Sequence, residues 1–138
     1  MTNEELISEA KKARERAYAP YSKHYVGAAL LTQGGKIYHV CNIENAAYGP
    51  TNCAERTAFF KAIYDGERDF SKIAIVGGME GTDGNDTCAP CGICRQVMME
   101  FCSPETFKVI LANGTETPLE YSLKELLPLG FGPSNLSH

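Results

Sequence analysis

Asn52-Cys53-Ala54-Glu55-Arg56-Thr57-Ala58 and Pro90-Cys91-Gly92-Ile93-Cys94-Arg95-Gln96-Val97 stand on either side of an apolar run, Lys72-Ile73-Ala74-Ile75-Val76-Gly77. The run is short and rich in β-branched residues, which suits a buried strand. Each flanking stretch opens a helical pattern, one over residues 52–64 with Gly66 beyond it and one over residues 91–101. Two helices separated by one strand bring their N-termini to the same edge of a sheet. That edge, beyond the carboxyl ends of strands, is where open α/β sheets bind ligands.

Upstream of this unit, Leu6, Ile7, Ala10, Ala13 and Ala17 recur at helical spacing, predicting an amphipathic helix over residues 3–17 that Thr2 or Asn3 can cap. Ala19-Pro20-Tyr21-Ser22 breaks it. Residues 26–32 and 36–42 read as strands joined at Gln33-Gly34-Gly35. The stretch 78–89, with Gly81, Gly84, Asn85 and Asp86, reads as a loop. Downstream, a strand over residues 107–112, a reversal at Asn113-Gly114, a strand over 119–121 and a short helix from Ser122 to before Pro128 complete the pattern. The order predicts an α/β fold, a three-layer α/β/α sandwich around a mixed five-stranded sheet, with residues 1–138 as one domain.

Composition narrows the function classes. Of 138 residues, 43% are hydrophobic and 22% charged, usage typical of a folded chain and not of a disordered one. Seventeen acidic against thirteen basic residues give a net charge of −4, the wrong sign for a nucleic-acid partner. No apolar run is long enough for a membrane span. Met1-Thr2-Asn3-Glu4-Glu5 is acidic and lacks the apolar core of a secretory signal, so a cytoplasmic location is expected. A reducing cytosol keeps the six cysteines free of disulfides, leaving metal binding or catalysis to explain the clustered ones.

Zinc favours thiolate and imidazole ligands in a tetrahedron, and catalytic sites use three protein ligands plus water. Cys91 and Cys94 lie one helical turn apart, and Cys53 sits at the start of the preceding helix. Both helix N-termini favour thiolate over thiol. Three cysteines at two helix starts therefore make an open zinc site. Cys88 also forms a Cys-x-x-Cys with Cys91, so it could replace Cys94 or add a fourth, closing ligand. Pro90 pushes Ala89 toward extended geometry, which puts Cys88 in the loop before the helix. Glu55 likewise has two roles open to it. Asn52-Cys53-Ala54-Glu55 matches a capping box, while a glutamate two residues from a zinc ligand is placed to move a proton of the zinc-bound water.

These stretches resemble the zinc deaminases of nucleobases and nucleosides. Together with Tyr18-Ala19-Pro20-Tyr21-Ser22, Val26-Gly27-Ala28-Ala29-Leu30 and Asn42-Ile43-Glu44-Asn45-Ala46, they resemble the small homotetrameric cytidine deaminase family, nearly from end to end. The resemblance implies a cytidine deaminase-like fold and one Zn2+ per subunit on Cys53, Cys91 and Cys94. It implies hydrolytic deamination of cytidine and 2'-deoxycytidine to uridine or deoxyuridine plus ammonia, in pyrimidine salvage. A zinc-bound hydroxide attacks C4 while Glu55 shuttles protons to N3 and to the leaving amine. Ala54 meets the base and its amine through its backbone, and Asn42 and Glu44 bind the ribose. Arg56 bonds the cysteine sulfurs and drains charge from them, unless it is merely a surface arginine. Phe131, after Leu126-Leu127-Pro128, resembles the phenylalanine that enters a neighbouring subunit's site, the alternative being an anchor to its own core. Tyr48 resembles a residue at subunit contacts. Leu129-Gly130 departs from the family's commoner glycine-alanine.

His24 is the main departure, since the family usually places an aromatic residue there to line the base pocket. Imidazole can still stack and can also gain charge near neutral pH. His39 is expected on the sheet surface, Cys41 and Cys102 as small buried hydrophobes, Met98 and Met99 in packing, and His138 in a disordered tail. A structural zinc module closed by Cys88, and a redox protein working through Cys91 and Cys94, are the competing classes. Relatives that act on cytosine-bearing antibiotics share the zinc motif, but Asn42-Ile43-Glu44-Asn45 fits nucleosides better.

Overall fold

A computed structural model describes residues 1–136; His138 lies outside it. Helix α1, Asn3–Arg14, starts at Thr2, whose side chain accepts from the Glu5 N–H at 3.1 Å. It buries Leu6, Ile7, Ala10 and Ala13 and stops short of the expected Ala17. The cause is non-local. Tyr18 N–H donates to the Asn42 carbonyl and Glu44 N–H to the Tyr18 carbonyl, at 3.0 and 2.8 Å, which pulls this segment out of the helical path.

The five expected strands form one sheet: β1 His24–Thr32, β2 Ile37–Cys41, β3 Phe70–Met79, β4 Lys108–Leu111 and β5 Leu119–Ser122, in the order β2-β1-β3-β4-β5. Only β3 and β4 pair in parallel, so the sheet is mixed. Strand β3 runs past the predicted stop at Gly77, because Gly77 and Gly78 pair with Val26 and Tyr25. Alternation sorts the strand residues into two cores. Ala28, Leu30, Ile73, Ile75, Val109 and Leu111 pack with Ala58, Phe59 and Ala62 of α2 (Ala54–Tyr64) and Met98 of α3 (Gly92–Phe101). Ala29, Leu31, Ala74, Val76 and Ile110 pack under Leu6, Ile7 and Ala10 of α1. These are the three layers the sequence predicts.

Two details set the frame of the site. A β-carbon on Gly27 would stand 2.2 Å from the Ala10 carbonyl oxygen and 2.4 Å from the Arg14 nitrogen, so only glycine lets α1 lie this close to β1. Strands β2 and β3 run in the same direction, each antiparallel to β1, and α2 and α3 follow their carboxyl ends. Both helices therefore begin at one edge of the sheet. At the end of the chain, α4 (Leu123–Leu126) starts with a Ser122–Glu125 capping box, and Pro133–Asn135 adds a 3-10 turn that the sequence does not signal. No described helix is long and apolar enough to cross a membrane.

Candidate metal centre and pocket

Cys53 and Cys91 are the N-cap residues of α2 and α3, both in extended conformation, and neither uses its sulfur to cap its helix. Cys94 lies in the first turn of α3 and is fully buried. Cys53 Sγ is 3.8 Å from Cys91 Sγ, and Cys91 Sγ is 3.5 Å from Cys94 Sγ. All three sulfurs lie within 4.8 Å of one another. A tetrahedral zinc with Zn–S bonds of about 2.3 Å sets neighbouring sulfurs about 3.8 Å apart, so this donor set fits zinc in chemistry and in spacing.

Cys88 is not part of this cluster. It is half-buried against the core under α2 and α3, and burial first of all pushes its thiol up to about 11. Its sulfur lies outside the group of donors close enough to share one ion, which argues against the closed four-cysteine module.

Charge at the cluster is organised from α2. Cys53 is lowered to about 5, first by hydrogen bonding from the Cys94 thiol and then by Arg56. The Cys94 thiol, which holds that shared proton, is correspondingly raised. Arg56 Nη2 donates to Cys53 Sγ at 3.3 Å, and its buried Nε has no hydrogen-bond partner among the described residues. Arg56 thus packs against the sulfurs and is not a surface arginine.

Glu55 is 4% exposed at the second position of α2. The capping box does not form here, because the cap is Cys53 and Asn52 Nδ2 instead donates to Thr57 Oγ1 at 2.9 Å. Burial, reinforced by the charge of Cys53, pushes the Glu55 carboxyl up to about 7. Ala54, beside it, is fully buried.

Asn42 and Glu44 follow β2. The Asn42 amide is pinned to β1, accepting from Val26 N–H and donating to the His24 carbonyl, each at 2.9 Å. Glu44 accepts from the Tyr21 and Ser22 backbone N–H groups at 3.0 and 3.1 Å and from the Ser22 hydroxyl. Those donors, the Ser22 hydroxyl first, hold its carboxyl below the usual range. Tyr21, Ser22, Glu44, Tyr48 and Thr51 line a cavity of about 320 Å3. The sequence does not single out Ser22 or Thr51, although the Tyr18–Ser22 block contains the first of them.

His24 faces the α2–α3 layer, on the same side of β1 as Ala28 and Leu30. A β-carbon on Gly77 would stand 2.9 Å from Cys88 Sγ and 3.2 Å from His24 Cε1, so this glycine leaves the room that both side chains fill. Tyr48 is 73% exposed and meets the Tyr21 ring edge-on with centroids 6.2 Å apart. Phe131 is 57% exposed, so its ring does not anchor the tail to the chain's own core. His39 lies exposed on the sheet, 3.0 Å from Glu9. Cys41 and Cys102 are half-buried free thiols, and Met98 is core.

The arrangement is that of an open, three-thiolate zinc enzyme and not of a closed structural module. The chain matches the family described as the cytidine and deoxycytidylate deaminase zinc-binding region over residues 1–110. It is 53% identical over 138 residues to a cytidine deaminase of Sporosarcina psychrophila, covering 100% of this chain and 97% of that protein. Identity to a cytidine deaminase of Halalkalibacterium halodurans is 48% over 137 residues, 99% of either chain. The crystal structure of a cytidine deaminase from Burkholderia pseudomallei superposes with a TM-score of 0.85 at 51% identity, covering 95% of this chain and 100% of that one. The chain belongs to the zinc-dependent cytidine deaminase family.

Proposed function

We propose that this chain hydrolyses cytidine, and 2'-deoxycytidine with it, to the corresponding uracil nucleoside and ammonia. The observation that carries the reading is Glu55: a carboxyl only 4% exposed, two residues from a cysteine of a three-sulfur cluster. Burial raises its pKa toward the working pH, where a carboxyl can both accept and return a proton. Zinc on Cys53, Cys91 and Cys94, when bound, supplies an activated water. Glu55 takes a proton from the attacking water, delivers it to N3 of the cytosine ring, and supplies the next to the departing amine. Water enters and ammonia leaves, so the atoms balance. The Ala54 backbone meets the base and its exocyclic amine, and His24 lines the base pocket. Arg56 acts on the reaction through Cys53.

Asn42 and Glu44 hold the ribose hydroxyls, a role supported by the hydrogen bonds that fix both side chains, Asn42 on β1 and Glu44 in the cavity wall. Four copies complete each other's pockets, with Phe131 and Tyr48 reaching across. Their exposure supports this, as does that of Tyr64 at 91%. The substrate is a small nucleoside and not a polynucleotide, consistent with the acidic chain. We place the enzyme, a single catalytic domain, in cytoplasmic pyrimidine salvage, where a reducing medium keeps its six thiols free.

The test is ammonia release from cytidine and deoxycytidine by the zinc-loaded protein beside Glu55→Gln at matched zinc content. Activity in the parent with near-total loss in the variant is expected. A zinc-loaded parent that leaves both nucleosides untouched overturns the reading.

A further inference from the structure

The two residues after the last zinc ligand have tasks that the chemistry above does not use. Arg95 Nε donates to the Pro90 carbonyl at 2.8 Å, and Arg95 Nη1 donates to the Leu126 carbonyl at 2.7 Å. Gln96 Nε2 donates to the Phe131 carbonyl at 2.7 Å. One turn further along α3, Met99 covers Gly132, which is buried although both its neighbours are exposed. A β-carbon on Gly132 would stand 2.9 Å from Met99 Cε. Leu126, Phe131 and Gly132 therefore fasten a C-terminal strap against one side of α3, the helix whose first turn carries Cys94 and whose cap is Cys91. Arg95 bridges the peptide just before Cys91 and the end of α4.

We propose that Arg95 and Gln96 are positioning residues: they fasten the C-terminal strap to the metal-bearing helix, so that metal binding and the placement of Phe131 form one cooperative unit. The role of the Phe131 ring in a neighbouring pocket rests on the function proposed above; the clamp itself rests only on the hydrogen bonds. Arg95 is the stronger member, because its bonds are charge-assisted and partly buried while that of Gln96 is exposed. Chelation loosens the first turn of α3, the Pro90 carbonyl shifts, and the strap loses the arginine that joins it to the metal site.

The test is amide hydrogen exchange in residues 127–136 of the zinc-loaded protein, of Arg95→Met and of Gln96→Leu, with β4 as internal control. Loss of one such bond speeds exchange in the strap about fivefold for Gln96→Leu, and more for Arg95→Met, with β4 unchanged. The zinc-stripped parent shows the same acceleration in the strap. Strap exchange unchanged in both variants overturns the clamp, and a strap that stays protected after zinc removal overturns its coupling to the metal. Kinetics give the second readout. Gln96→Leu raises KM more than it lowers kcat, and adding it to Phe131→Ala changes KM no further; independent, additive effects overturn the assignment. If Phe131→Ala itself leaves KM unmoved, the trans-pocket role of Phe131 fails, and the exchange data still decide the clamp.

Discussion

Glu55→Gln is expected to stabilise the metal-stripped protein while abolishing catalysis, with a gain that depends on pH in a defined direction. Glu55 is 4% exposed, and burial first, then the Cys53 charge, moves its carboxyl from 4.5 to about 7. A carboxyl whose folded pKa lies above its unfolded value holds its proton more tightly in the fold. Its contribution to stability is complete below the unfolded value and is lost as pH rises through the folded one. The interval from 4.5 to about 7, at about 1.4 kcal/mol per unit, corresponds to about 3 kcal/mol. Glutamine has nearly the same volume and carries no charge at any pH. Urea denaturation of the two metal-free proteins, in reductant, is therefore expected to give nearly equal stabilities at about pH 4 and a difference approaching 3 kcal/mol in favour of glutamine at about pH 8.5. Reloading zinc narrows the difference, because a nearby dication favours the ionised carboxylate. A gain that does not vary with pH, or a variant less stable than the parent at about pH 8.5, refutes burial as the cause of the raised pKa.

Two further outcomes test the metal centre. Arg56→Gln removes the cation that donates to Cys53 Sγ and is expected to lower zinc affinity about 10- to 100-fold, read by competition with a chromogenic chelator; an unchanged affinity would mean that the 3.3 Å contact is energetically idle. Cys88→Ala is expected to keep one zinc per chain at the parent's affinity, since this thiol packs against the core outside the cluster; loss of zinc would restore Cys88 as a ligand.

The metal centre was legible in the sequence because its geometry is local. Cys91 and Cys94 are one turn apart on any helix, and a cysteine at each helix start needs only the correct β-strand between the two helices to meet the other. Apolar runs likewise marked β1, β3 and β4 as strands, and the structure buries them on both faces of the sheet. Non-local pairings were not legible. Gly77 and Gly78 look like a strand's end until Val26 and Tyr25 are known to lie opposite. Residues 15–17 look helical until Tyr18 is seen to pair with Asn42 and Glu44. The Asn52–Glu55 spacing suits a capping box, and what defeats it is the Thr57 hydroxyl, which takes the Asn52 amide, together with the tertiary fit that buries the Glu55 carboxyl. The strap along α3 has no periodicity to betray it, since single side chains on another element hold it.

The charges at the centre cannot be tuned one at a time. Three thiolates on a dication leave a net negative charge, and an ionised Glu55 two residues from Cys53 adds to it. Two helix N-termini and Arg56 oppose that charge. The same guanidinium that lowers Cys53 also draws the Glu55 carboxyl down, against the burial that raises it. Removing Arg56 would weaken the metal's hold and at once move Glu55 further from its ionised form. In the proposed reaction, burial of Glu55 cannot be relieved without cost either, because a solvated carboxylate near its ordinary pKa would be a poor proton donor to the ring and the leaving amine at neutral pH. On that reading, the stability that Glu55 costs the fold is inseparable from its use as a proton carrier. A variant selected only for stability is expected to lose Glu55 before it loses any cysteine.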